Sequence, residues 1–245
     1  MQDNFLNALE HVLAHEGGWA DHPRDPGGAT MKGVTLAVYQ RYFGADKDKA
    51  ALRAISDAEL QHVYRTGYWE KCRCDELPNG VDYAVFDAAV NSGPGRSIRW
   101  LQAAVGTIQD GSIGARTLMC LDDCEPLQVI EEMCDHRLAF LHGLSTWDVF
   151  GKGWARRVEG VRSTALVMAS GGELVAQTPS VDYKIIQRGS RGEWVKRLQR
   201  ALGIQVDGKF GPATEAAVKA WQAENGLEVD GIAGRNTYRS LGLLA

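Results

Sequence analysis

The stretch that decides the reading is Phe5-Leu-Asn-Ala-Leu9-Glu-His-Val12-Leu13-Ala-His15-Glu16-Gly17-Gly18-Trp19. Phe5, Leu9, Val12 and Leu13 recur at helical spacing, and at 100° per residue Glu16 falls about 20° from Phe5, on the apolar face. The two glycines then break the helix. A carboxyl that points toward the core at a helix end is poorly solvated and meets the negative pole of the helix dipole, and both influences favour a side chain that keeps its proton. Such a glutamic acid can donate that proton to a leaving group.

The residues that follow supply the other parts of such a site. Asp21-His-Pro-Arg-Asp25-Pro-Gly-Gly28 is a run of turn formers, and Thr30-Met-Lys-Gly-Val-Thr35 is expected as a short strand or hairpin. This order returns Asp25, Thr30 and Thr35 toward the mouth of the Glu16 helix. A buried acid, a second carboxylate on a loop and a hydroxyl that orients water are the parts that glycoside hydrolysis needs. Asp21 is the alternative second carboxylate and Thr35 the alternative hydroxyl.

Glu16-Gly-Gly-Trp19, followed by Asp25-Pro-Gly-Gly-Ala-Thr30 and Gly33-Val-Thr35, resembles the glycoside hydrolase family 108 muramidases, found mainly in phage endolysins and prophages. The Glu16, Asp25, Thr30 spacing is also similar to the Glu-Asp-Thr arrangement of phage lysozymes. The resemblance implies Glu16 as general acid, with Asp25 stabilising the transition state or activating a water that Thr30 helps to place. The substrate it implies is the β-1,4 bond between N-acetylmuramic acid and N-acetylglucosamine, with lytic transglycosylase chemistry as the alternative and a non-catalytic wall-binding protein behind it. Trp19 stands where the family has tyrosine, which keeps an aromatic in the substrate site.

With 245 residues, of which 44% are hydrophobic and 24% charged, the chain has the composition of an ordinary soluble protein with room for two domains. No apolar run is long enough to span a membrane, and the first residues lack the pattern of a signal peptide, so synthesis in the cytoplasm with no export signal is expected. Cys72, Cys74, Cys120, Cys124 and Cys134 form no regular framework and read as reduced structural thiols. His11 and His15 lie one turn apart before Glu16, but their order is not that of a zinc hydrolase, and His22, His62, His136 and His142 show no ligand spacing. Neither metal nor cofactor is expected.

An internal repeat organises the rest. Leu101-Gln102-Ala-Ala-Val-Gly106 leading to Asp110-Gly-Ser-Ile-Gly114-Ala-Arg-Thr117 matches Leu198-Gln199-Arg-Ala-Leu-Gly203 leading to Asp207-Gly-Lys-Phe-Gly211-Pro-Ala-Thr214 at a constant offset of 97 residues. A half-copy follows at Asp230-Gly-Ile-Ala-Gly234-Arg-Asn-Thr237. Each reads as a helix, an Asp-Gly turn and a Gly-to-Thr entry into the next helix, with the threonine as its cap. Residues 183–245 resemble the type 1 peptidoglycan-binding domain, a three-helix unit. They carry ten Lys and Arg against six Asp and Glu, leaving 17 and 25 for the remainder, a bias that suits an anionic wall polymer better than nucleic acid.

The stretch from Asp82 through Asn91 to Trp154 and Arg157 is similar to the helical region after the catalytic segment in family 108 proteins, and is expected to complete the lysozyme-like fold. Trp69 and Asn91 are candidate cleft residues, one to stack on a sugar and one to bond an acetamido group. The expected architecture is therefore mainly α: a lysozyme-like helical domain with a small β-hairpin at 1–170 (its helical region at 80–168), a linker at 171–182 rich in Ser, Gly and Pro, and the three-helix module at 183–245. A monomer whose partner is peptidoglycan, with no obligate membrane insertion, completes the expectation.

Overall fold

The structure, a computed structural model, describes residues 4–21, 28–171, 185–227 and 229–243. Asp25 and nearly all of the expected linker lie outside the described residues. Two compact units emerge, one of Met1–Cys134 with Gly153–Glu173 and the other of Asp135–Lys152 with Leu174–Ala245.

In the first unit, α1 (Phe5–His15) buries Phe5, Ala8, Leu9 and Val12, the helical stripe expected from the sequence. Glu16 ends it in an extended conformation, φ −85° and ψ 138°. Three two-residue strands follow, β1 (Trp19–Ala20), β2 (Thr30–Met31) and β3 (Val34–Thr35), in an antiparallel sheet of that order. The β2–β3 hairpin turns on Lys32 and Gly33, with φ +47° and +76°. Two consecutive positive φ angles make the two-residue turn whose twist suits a hairpin, and Gly33 adopts its angle without strain. The sheet also includes Trp19–Ala20, paired as Trp19 with Met31 and Ala20 with Thr30, a strand that the local sequence does not announce.

Short helices α2 (Leu36–Phe43), α3 (Lys49–Arg53) and α4 (Asp57–Tyr64) carry the chain onward, α4 opening with a Ser56–Glu59 capping box. A π-helical turn at Arg65–Trp69 and 3₁₀ turns at Glu70–Cys72 and Cys74–Glu76 lead to α5 (Val81–Ser92). Every residue of α5 from Val81 to Ala89 is buried, so this helix is the axis of the unit. Phe86 packs with its ring 5.9 Å from that of Phe5 and 5.3 Å from that of Trp69. Helices α6 (Pro94–Ala104), α7 (Ala115–Asp122), α8 (Pro126–His142) and α9 (Trp147–Ala169) follow, with α8 from Asp135 and α9 as far as Lys152 belonging to the second unit. No helix among the described residues is long and apolar enough to cross a membrane. All five cysteines are free thiols.

The second unit contains α10 (Glu193–Ala201), α11 (Pro212–Glu224) and α12 (Arg235–Ser240) around Ile186, Val195, Leu198, Phe210, Val218, Ala233 and Tyr238. Single β-bridges pair Ile186 with Ala233 and Arg191 with Lys209.

The internal repeat has a physical core that the sequence showed only in outline. Gln199, buried, donates to Asp207 Oδ1 (2.7 Å), the Lys209 carbonyl (3.1 Å) and Thr214 Oγ1 (3.1 Å), and accepts from the Gly208 N–H (2.9 Å). Gln102 does the same with Asp110, Ser112, Thr117 and Gly111, and Gln222 with Asp230, Ile232, Thr237 and Gly231. The third copy is thus complete. The threonines are not helix caps as expected: Gly114, Gly211 and Gly234 hold the cap positions, and each threonine sits inside its helix with its hydroxyl bound to the glutamine. A buried carboxamide that meets every partner closes the Asp-Gly turn onto the preceding helix.

Candidate active site

The Glu16 side chain, 20% exposed, projects from the end of α1 to the guanidinium of Arg157 in α9. Arg157 Nη1 and Nη2 both donate to Glu16 Oε1 at 3.0 Å. The other edge of the guanidinium is held by Asp87 of α5: Nε lies 3.3 and 3.2 Å from its two oxygens and Nη2 2.9 Å from Oδ2. The Asp87 side chain is 0% exposed and that of Arg157 15%, so this bridge is shielded from water. Burial works against the Arg157 charge, but Asp87 and then Glu16 outweigh it and hold the guanidinium above its ordinary pKa.

The hairpin closes the opposite side of the carboxyl. A Cβ placed on Gly33 would lie 3.0 Å from Glu16 Oε2 and 2.5 Å from the Tyr64 hydroxyl, so only glycine fits this approach. Tyr64 donates to the Lys32 carbonyl at 2.8 Å and so ties the turn to α4. Burial, then the nearby Glu16 and Tyr68, raise the Tyr64 pKa, which keeps the hydroxyl a donor. Tyr68, on the π-helical turn, is raised likewise by burial, Tyr42 and Glu16. The two oxygens of Glu16 therefore differ: Oε1 is fixed by a cation, and Oε2 faces the hairpin backbone.

The remaining sequence candidates separate clearly. Thr30 is half-buried in β2, paired in register with Thr35, and its hydroxyl donates to the Gly28 carbonyl at 3.3 Å. The Thr35 hydroxyl accepts from the Val38 N–H and caps α2. Asp21 is engaged by Lys49 Nζ at 2.9 and 3.0 Å on the surface. Trp19 is half-buried with the Arg53 guanidinium 5.5 Å over its ring. Trp69 is corrected outright: it is 1% exposed, its Nε1 donates to Asp75, and Phe5 and Phe86 flank its rings, so no face is open to a sugar. Asn91 is exposed at the end of α5, one turn beyond Asp87. Among the described residues no group of three His, Cys, Asp or Glu is placed to hold a metal ion.

Sequence reasoning missed Arg157, Asp87, Tyr64 and the contact at Gly33. Asp87 carried a signal, an ionisable residue inside the apolar run Val81–Val90, because such a residue is buried only with a partner. Arg157, 141 positions from Glu16, carried none.

Residues 9–93 match the model of glycosyl hydrolase 108, and residues 191–241 that of a putative peptidoglycan binding domain. Among curated proteins, the chain is 44% identical over 64 residues to a zinc D-Ala-D-Ala carboxypeptidase of Streptomyces albus G (23% of this chain, 25% of that protein). It is 39% identical over 69 residues to an uncharacterized protein in the bpoA1 3′ region of Kitasatospora aureofaciens (25% of this chain, 58% of that protein). The chain thus spans about a quarter and somewhat over half the length of these two relatives. The structure of Brucella abortus SagA is similar with a TM-score of 0.63 and 46% identity, over 69% of this chain and 97% of that one. With the family's segment containing both Glu16 and its hairpin, and a solved relative matched over nearly its whole length, the chain belongs to the glycosyl hydrolase 108 family.

Proposed function

We propose that this protein is a muramidase of the endolysin type, cleaving the β-1,4 bond between N-acetylmuramic acid and N-acetylglucosamine in peptidoglycan and so causing cell lysis. The observation that carries this reading is the asymmetric clamp on Glu16, with Oε1 held by Arg157 and Oε2 against Gly33. Arg157 donates to Oε1 alone, which leaves Oε2, on the hairpin side, as the oxygen that serves the glycosidic bond in this reading. Oε2 then protonates the glycosidic oxygen. Asp25 stabilises the oxocarbenium-like sugar or activates water, and Thr30 helps to place that water. Trp19 and Asn91 contribute to the substrate site.

Residues 191–241, which match a peptidoglycan-binding domain, act as the anchor. In this division residues 1–170 form the catalytic part, 171–182 tether it and 183–245 hold the wall, so that the tether raises the local concentration of enzyme at its substrate. The protein works as a monomer, is made in the cytoplasm and acts on the wall after release.

Digestion of purified peptidoglycan by the intact protein and by Glu16→Gln, with mass spectrometry of the muropeptides, tests the reading. Positioned acid catalysis contributes about 10²- to 10⁴-fold, so the variant is expected to lose most activity while keeping the fold. New reducing muramic acid ends that vanish in Glu16→Gln support it. Anhydro-muramic ends would assign transglycosylase chemistry instead, and freed peptides would overturn the glycosidase reading.

A further inference from the structure

Two rows of side chains lead away from the Glu16 clamp on facing helices of the first unit. Arg157 of α9 reaches Asp87 in the second half of α5. At the other end, Asn79, just before α5, donates to the Met168 carbonyl at 2.7 Å, and a Cβ on Gly80 would strike the Ala165 carbonyl. The start of α5 thus lies against the end of α9, and the two helices run antiparallel. Four residues forward from Asp87 stands Asn91; three residues back from Arg157 stands Trp154. Residues three or four apart share a helix face, and both steps advance about one turn, roughly 4.5–6 Å, in the same direction. Asn91 is exposed and Trp154 half-exposed. An indole and a carboxamide are therefore set on neighbouring helices one turn beyond the Arg157–Asp87 bridge, whose other end holds Glu16.

We propose that Trp154 and Asn91 form a subsite for an N-acetylated pyranose of the glycan strand, next to the bond that is cleaved. The inference rests on the glycosidase reading above. Trp154 stacks on the C–H face of the sugar, because an indole offers a large rigid apolar surface at small entropic cost. Asn91, whose Oδ1 also accepts from the Ser92 hydroxyl at 3.2 Å, bonds the acetamido group, since a carboxamide oxygen has two lone pairs and its nitrogen two donors. Trp154 thus takes the stacking role that the sequence suggested for Trp69. The pairing is not visible from Asn91 alone, because the two residues are 63 positions apart and only the Asp87–Arg157 register sets them on the same side of the bridge.

The test uses the full-length protein, soluble uncrosslinked glycan strands, and the same strands chemically de-N-acetylated, with reducing ends counted to give kcat and KM. Loss of a stacking surface worth about 1.4 kcal/mol is tenfold in affinity, so Trp154→Leu is expected to raise KM about tenfold and to leave kcat within about twofold. Trp154→Phe should recover most of the loss. Asn91→Ala should raise KM on acetylated strands several-fold and leave KM on de-N-acetylated strands unchanged. An unchanged KM in Trp154→Leu overturns the subsite. So does a fall in kcat alone, which would mean that Trp154 merely props Arg157, or an equal effect of Asn91→Ala on both glycans. If Trp154→Leu does not fold, the Asn91→Ala comparison decides. If the wild type releases no reducing ends at all, the glycosidase reading is what fails, and strand binding by the same variants still reads the subsite.

Discussion

Replacing Asp87 with alanine isolates the part of the clamp that substrate never needs to touch. In the folded protein the Arg157 guanidinium is satisfied on two edges, by Asp87 through Nε and Nη2 and by Glu16 through Nη1 and Nη2. Because the Asp87 carboxylate is fully buried, water does not take its place without reorganising the helices around it. Removing one partner of a buried ion pair costs about 3–5 kcal/mol, most of it from the charge left uncompensated. The exposed Lys49–Asp21 pair sets the contrast, since surface pairs contribute about 0–1 kcal/mol. Urea unfolding of Asp87→Ala, followed by a signal from the first unit, should therefore show a loss of about 3–5 kcal/mol, and that of Asp21→Ala at most about 1 kcal/mol. The double variant Asp87→Leu/Arg157→Leu removes both charges; it should recover much of that stability yet remain without activity, because Glu16 Oε1 is no longer held. A stability for Asp87→Ala within about 1 kcal/mol of the wild type would refute the claim that the bridge is buried and structural.

Two further outcomes follow from the same geometry. Gly33→Ala places a Cβ at φ +76° into the Tyr64 hydroxyl and Glu16 Oε2, whereas Gly106→Ala meets the same backbone strain at φ +67° with nothing within 4 Å. Both should lose about 1–2 kcal/mol of stability from strain, but only Gly33→Ala should lose glycan cleavage, by tenfold or more; equal activities would remove the hairpin from the site. Burial pushes the Asp82 carboxyl up to about 6, against hydrogen bonds from Asn4, Tyr83 and Gly80 that act in the other direction. An acid whose pKa is higher in the folded chain binds its proton more tightly there, so its ionisation weakens folding as pH rises from about 4 to about 6, by about 3 kcal/mol in all. Denaturation midpoints of Asp82→Asn should accordingly gain on those of the wild type over that interval and run parallel above it, and a pH-independent difference would contradict the burial argument.

What the sequence made legible is what is local. The α1 stripe, the glycine break behind Glu16 and the Lys32-Gly33 hairpin all rest on spacings of a few residues, which periodicity and turn chemistry resolve. The Arg157 contacts join residues 70 and 141 positions apart, and no local pattern encodes that pairing. Trp69 misled because a tryptophan suits a core and a cleft equally, and only the position of Phe5 and Phe86 decides between them. The repeat threonines misled for a different reason. A threonine near a helix start is normally its cap, but here a glycine holds that position and a glutamine fifteen residues upstream captures the hydroxyl.

Three copies of one glutamine-centred lock raise a problem for the growing chain, since each glutamine could meet the Asp-Gly turn of another copy. Within a copy the glutamine and its aspartate are eight residues apart, while the first two glutamines are separated by 97 positions. Closure entropy rises with loop length, and contacts near in sequence form first. Each lock therefore shuts on its own turn before a foreign one arrives, and the duplication that would invite domain exchange is kept harmless by the shortness of the loop it closes.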